Sequence, residues 1–164
     1  MTDQSQEITI SRYFDAPVSL VYRAFVDPDM LAQWFAPLTF HVPRDTIAVD
    51  ARPGGQWSMT MVNNDNAEWK SPINSTLAEV VENQLLVGYE ITKDFPGIED
   101  GTKITLSLEF APEGDGTRLT LRQGPFPAEL GEMSQTGWGQ SFHKLDGLLA
   151  TPEKFRTPMT PPTE

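Results

Sequence analysis

The sequence predicts an α+β domain in which a curved antiparallel β-sheet wraps one long C-terminal helix, with two short helices after the first strand. Three observations carry this. Apolar residues recur at every second position through the middle of the chain, as in "QWSMTMV" and "KITLSLEF", which is the signature of half-buried strands. One stretch near the C-terminus has a long helical period, with Trp138, Phe142, Leu145 and Leu149 at i, i+4, i+7 and i+11. An alternating sheet has a dry face that must be covered, and about nineteen helical residues, roughly 28 Å long, are the one element large enough.

The elements follow in order. Residues 8–14, "ITISRYF", read as the first strand. Asp15 is placed to cap a helix with Pro17 in its first turn, and Leu20, Val21, Ala24 and Phe25 supply that helix's apolar face. Pro28 breaks it, and a short second helix carries Leu31, Trp34 and Phe35. "TFHVPRDTIAVDARPGG" is extended and ends in a hairpin turn at Pro53-Gly54-Gly55, which an Asp50–Arg52 pair is placed to fix. "QWSMTMV" puts Trp57, Met59 and Met61 on one side, and "NNDNAE" is a loop. "WKSPINSTLAEVVE" and "QLLVGYEI" meet at a turn near Asn83. "KITLSLEF", the turn "APEGDG" and "TRLTLRQ" form the strongest hairpin signal, giving about six strands after the two helices. The last helix is expected over about residues 132–150. Residues 1–150 thus form one domain, and 151–164, with four prolines and no period, form a flexible tail.

Composition narrows the function classes. Hydrophobic residues are 38% and charged residues 21% of 164, which fits a soluble globular domain. The absence of cysteine excludes disulfides, thiol nucleophiles and cysteine-bound metal. A net charge of −11 argues against nucleic acid and anionic membranes. No apolar stretch approaches a membrane span, and "MTDQSQEITI" has no signal-peptide pattern, so a cytoplasmic location is expected.

One feature of the last helix stands out. Gly137 and Gly139 flank Trp138, and Gly147 follows. Each helical glycine costs roughly 0.5–1 kcal/mol relative to alanine. Such a loss is explained either by room left for a ligand or by close approach of another backbone.

The motifs "FDAPVSLVYRAFVDPDMLAQWF", "VDARPGGQWSM", "STLAEVVENQLLVGYE", "GTRLTLRQ" and "GWGQSFHKLDGLL" occur in an order that resembles the SRPBCC, or START-like, superfamily. Within it the chain is similar to the branch of heat-shock protein 90 ATPase activator homologues. The resemblance implies a helix-grip fold with a cavity between sheet and helix. It leaves function open, because members of the superfamily carry lipids or hormones, cyclise polyketides or act beside a chaperone.

In a helix grip, Trp34, Phe35, Trp57, Met59, Met61, Trp69, Tyr89, Phe95, Trp138 and Phe142 would converge on the inside, with Ser141 as a small residue that leaves space. Apolar pockets with a few polar anchors bind small molecules, and a cavity of roughly 300–1,000 Å³ is the usual size. The expected function is binding of a hydrophobic or aromatic small molecule there. The alternatives are a cyclase or hydrolase that uses a cavity acid or base, and a co-chaperone-like partner of a heat-shock protein 90 relative in a stress response. For the last, no second domain like that of the eukaryotic activators is expected in 164 residues. His41 and His143, the only histidines, sit in no ligand spacing, so neither metal nor cofactor is expected. No nucleophile motif occurs, and Ser141 and His143 at i, i+2 do not face each other. Glu68, Glu79, Glu90 and Glu109 are the carboxylates that lie on separate expected strands. The chain is expected to be a monomer or weak homodimer, with Phe155 and Met159 of the tail as anchors if a second subunit is bound.

Overall fold

The computed structural model describes residues 5–150 apart from Pro96; the Pro-rich tail lies outside the described residues. Eight strands form one antiparallel sheet: β1 (Ser5–Phe14), β2 (Phe40–His41), β3 (Ala48–Val49), β4 (Gln56–Asn63), β5 (Lys70–Val81), β6 (Leu85–Ile91), β7 (Lys103–Glu113) and β8 (Gly116–Pro127). Their order across the sheet is β1-β8-β7-β6-β5-β4-β2, with β3 also paired to β4. Two helices, α1 (Val18–Val26) and α2 (Pro28–Trp34), follow β1, and α3 (Ala128–Leu149) closes the chain. The sheet curls into a half-barrel around α3, as the sequence predicts.

The expected elements shift in three places. Pro17, not Asp15, is the N-cap of α1, and no side chain caps that end. Asp27 does cap α2, its carboxylate accepting from the Asp29 N–H at 2.9 Å, with Pro28 in the first turn. Helix α3 starts four residues earlier than expected, at Ala128, directly after β8. Its 22 residues span about 33 Å.

The β3–β4 hairpin forms at the expected glycines. A Cβ on Gly55 would stand 1.9 Å from the Asp50 carbonyl oxygen, so only glycine allows this approach. Arg52 Nε meets the Asp50 carboxylate at 2.7 Å, as the sequence suggests.

Strand register divides the sheet into two faces. On the inner face, Phe14 pairs with Thr117, Leu121 with Leu108, Gln123 with Leu106, and Leu106 with Gly88. Gly88 continues to Leu77, and the β4–β5 pairs Trp57–Ser75, Met59–Ile73 and Met61–Ser71 complete that face. Rings fill the space beneath the helices. Phe142 of α3 meets Phe14 edge-on at 5.4 Å and stacks on Trp34 at 6.2 Å. Phe35 meets both Trp57 and Trp138 edge-on at 5.6 Å. Arg12 lies over the Phe14 and Phe142 rings and pairs with Asp146 of α3. Helix α3 packs chiefly against β1, β8 and α2.

A half-covered concave face as candidate functional site

The packing of α3 to one side decides what the inner face can do. Over β1, β8 and β7 that face is closed, and Ile104, Leu106, Leu108, Leu119 and Leu121 are buried. Over the middle of β4 and β5, Trp57, Met59, Ser75 and Leu77 are buried as well, and only toward one end of β4, β5 and β6 is the face half-covered: Met61, Ser71, Ile73 and Glu90 remain partly accessible there. One flank of α3 carries Leu130, Met133 and Gly137 at i, i+3 and i+7 and reaches the loops at either side of this strip. Leu130 Cδ1 lies 3.1 Å from the position of a Gly97 Cβ, which places the β6–β7 loop at one end. Gly137 faces Pro37 Cγ at 3.4 Å, which places the α2–β2 segment at the other. Between them Met133 is 67% exposed.

The α2–β2 segment is held from α3. Ser141 Oγ accepts from the buried Ala36 N–H at 3.2 Å, and Gln140 Oε1 accepts from the Leu38 N–H at 2.9 Å. Lys144 donates to the Pro37 and Phe40 carbonyls at 3.3 and 3.5 Å, and partial burial lowers its pKa. Ala36 itself has φ 129, a conformation that side-chain-bearing residues rarely adopt. The clamp is therefore spent on keeping a strained turn in place. Ser141 is one of its members, 4% exposed and engaged with backbone, rather than a residue that leaves space.

The structure sorts the other predicted residues. Trp34, Phe35, Trp57, Met59, Trp138 and Phe142 come together on the inside, but as interlocked core. Trp34 and Trp57 donate their indole N–H groups to the Ala24 and Phe25 carbonyls at 2.9 and 2.7 Å. Trp138 donates to Gln123 Oε1 at 2.9 Å. Two hollows lie against the sheet, and neither is the expected large cavity between sheet and helix. A void against the inner face of β4–β7 has about 10 Å³, beside Trp57, Ser75, Leu86 and Gly88. Edge-to-face rings have taken the space that a ligand would need. A larger depression, about 240 Å³, lies on the outer side of β4 and β5 among polar residues including Gln56, Ser58, Asn74 and Thr76.

Two expected lining residues point elsewhere. Tyr89 pairs with Thr76 and Thr105 on the outer face, where the Lys103 ammonium lies 4.6 Å from its ring centre. Phe95 lies in the β6–β7 loop, 44% exposed. Trp69 continues the inward alternation of β5 but sits at its open end, 58% exposed and edge-on to Phe40 at 5.3 Å. Gly139 faces open space, whereas Gly137 makes the close approach to Pro37.

Of the four candidate carboxylates, register selects Glu90. It pairs with Ile104, so it shares the inner face with Gly88 and Leu106. Glu109 turns outward to Arg122 at 3.4 Å, and Glu68 and Glu79 are exposed. Glu90 Oε1 accepts from the Asn74 N–H at 3.2 Å, and the Ser75 hydroxyl also bonds it. Burial pushes its pKa above the ordinary carboxyl value, and these two hydrogen bonds pull partly against that shift. His41 Nδ1 bonds Asn64 at 2.7 Å at the surface, and His143 is exposed. Among the described residues no three His, Asp or Glu side chains gather as metal ligands, and no helix is long and apolar enough to cross a membrane.

A curled antiparallel sheet gripping a C-terminal helix, with two short helices behind the first strand, defines a helix-grip protein. Residues 15–150 match the Activator of Hsp90 ATPase homolog 1-like protein family, and the chain belongs to it. Its fold is similar to that of protein CV1439 from Chromobacterium violaceum, with a TM-score of 0.76 and 28% identity over 87% of this chain and 96% of that one. Protein NE0264 from Nitrosomonas europaea shares 24% identity over 93% and 99% of the two chains at a TM-score of 0.74. The AHSA1 protein from Silicibacter pomeroyi shares 23% over 88% and 98% at 0.72. No curated protein matches the chain.

Proposed function

We propose that the protein binds a hydrophobic or aromatic small molecule along the half-covered strip between α3 and strands β4–β6. The observation that supports this is the uneven cover of the inner face: Met61 and Ile73 are left partly accessible, and Met133 of α3 is exposed. Apolar side chains that meet across an open strip gain burial when a ligand lies between them. Methionine adapts to irregular shapes, and two of the three are methionines. The ligand enters beside the core instead of occupying a preformed chamber, so binding draws on movement of the α3 flank and the β6–β7 loop.

The acid–base alternative has Glu90 as its inward carboxyl. Its partners are the Ser75 hydroxyl and a backbone N–H, which hold it in place. The geometry thus favours holding over turnover. The family description supplies a chaperone as the competing kind of partner.

The test uses N-phenyl-1-naphthylamine, a neutral aromatic probe whose fluorescence rises out of water. Saturable one-to-one binding is expected, weakened at least tenfold in Ser71→Trp, which fills the strip, and in Met133→Glu, which places charge on its edge. No saturable binding, or equal binding by both variants, refutes the proposal.

A further inference from the structure

Elsewhere in the molecule, carboxylates that touch basic residues do so in ion pairs. Glu109 meets Arg122, Glu113 meets Arg118 at 2.8 Å, and Asp146 meets Arg12. On the inner face, Arg12 is thereby neutralised, while Lys144 is committed to the Pro37 and Phe40 carbonyls. Glu90 is a carboxylate of the inner face with no basic partner among the described residues. It lies half-buried between Ser75 and Ile104, and its hydrogen bonds among the described residues are with Asn74 and Ser75. Lys103, two strands' width from Ser75, is on the opposite side of the sheet over Tyr89.

A partly desolvated carboxylate without a cation is costly unless something supplies one. Gly88, its neighbour along the inner face, carries no side chain to cover it. Both Asn74 and Ser75 donate to it, which orients its oxygens without neutralising them. We infer that the strip selects a cationic ligand, an aromatic molecule bearing a protonated amine, and that Glu90 receives the ammonium while the apolar part lies along Ile73, Met61 and Met133. The inference rests on the proposed ligand site and names its chemical class. The amine forms a charge-assisted hydrogen bond that water would otherwise have to replace. An anionic ligand of the same shape would bring a like charge to Glu90 and be rejected. The surplus of negative charge over the chain, −11, also favours encounter with a cation.

Three naphthalenes of nearly equal shape separate the possibilities: 1-naphthylmethylamine, 1-naphthalenemethanol and 1-naphthoic acid. Titrations are followed by calorimetry at pH 7 with the full chain and with Glu90→Gln. The wild-type protein is expected to bind the amine at least tenfold tighter than the alcohol, and the acid most weakly. Glu90→Gln should lose the preference for the amine, gain affinity for the acid and keep its affinity for the alcohol. Thermal unfolding of the variant confirms that it is folded. If the alcohol binds and the amine is not preferred, or if Glu90→Gln keeps the preference, the assignment of charge fails while the binding site survives. If none of the three binds the wild-type protein, the binding site itself is refuted, and this inference with it.

Discussion

Replacing Ser141 by alanine separates two accounts of the glycine- and serine-rich turn of α3. If Ser141 merely leaves space, alanine is the better helix former by up to about 0.5 kcal/mol, and the protein should gain stability. If Ser141 holds the α2–β2 segment, the change leaves the Ala36 N–H buried without an acceptor. Ala36 is 1% exposed, so water does not reach it. An unsatisfied buried donor costs about 1–3 kcal/mol. Subtracting the helix gain leaves a net loss of about 0.5–2.5 kcal/mol. For a chain of this size each kcal/mol moves the Tm by about 2–4 °C, so a fall of about 1–10 °C is expected in calorimetry. Hydrogen exchange adds a local reading: the Ala36 amide should lose protection, because its acceptor among the described residues is the Ser141 hydroxyl. A Tm that rises, together with an Ala36 amide as protected as before, would refute the clamp.

Gly139→Ala meets nothing within 4 Å and should raise the Tm by about 2–4 °C, through up to about 1 kcal/mol of helix propensity; an unchanged or lowered Tm would mean that the helix approaches another element there. Phe142→Ala removes a fully buried ring that contacts Phe14, Trp34 and Trp138, and urea unfolding should show a loss of about 3–5 kcal/mol. Glu90 has a raised folded-state pKa, so the folded protein binds more protons than the unfolded chain as pH rises past the ordinary carboxyl value. Its contribution to stability is therefore best below that value and is lost as pH rises through the folded pKa. Urea titrations from pH 4 to 8 should show Glu90→Gln gaining on the wild-type protein with increasing pH, and parallel curves would contradict the sign.

The sequence shows the architecture because period alone distinguishes its parts. Alternation in "KITLSLEF" and "TRLTLRQ" fixes both strands and the faces of Ile104, Leu106, Leu108 and Leu121. The α3 period places Trp138, Phe142 and Leu145 in the core for the same reason. The site was less legible. In "LLVGYEI" either face can be read as the dry one, since Val87, Tyr89 and Ile91 are as apolar as Leu86 and Gly88. The choice is made by partners that are remote in sequence: Gly88 opposes Leu77 and Leu106, so Glu90 goes in and Tyr89 goes out. A one-residue error of parity inverts the chemistry of the strand. Ring packing was likewise hidden, because a count of aromatics does not say whether they surround a space or occupy it. Here Phe35 stands between Trp57 and Trp138 and joins them. Residue 36, which the clamp serves, is an alanine in a conformation that no local pattern announces.

The seating of β1 beside β8 also governs the order in which this chain can acquire structure during synthesis. Hairpins β4–β5, β5–β6, β6–β7 and β7–β8 join sequential neighbours, so each can form soon after its second strand appears. β1 cannot: Phe14 waits for Thr117, and the Ala16 carbonyl waits for the hydroxyl of that same residue, 101 positions later. Closing so long a loop is slow compared with local pairing. For most of translation the first strand and the two short helices are therefore made but have no seat, with Phe14 and Phe25 uncovered. A growing chain of this protein is at its most aggregation-prone just before residues 116–127 become available, and its sheet becomes whole only once those residues have emerged.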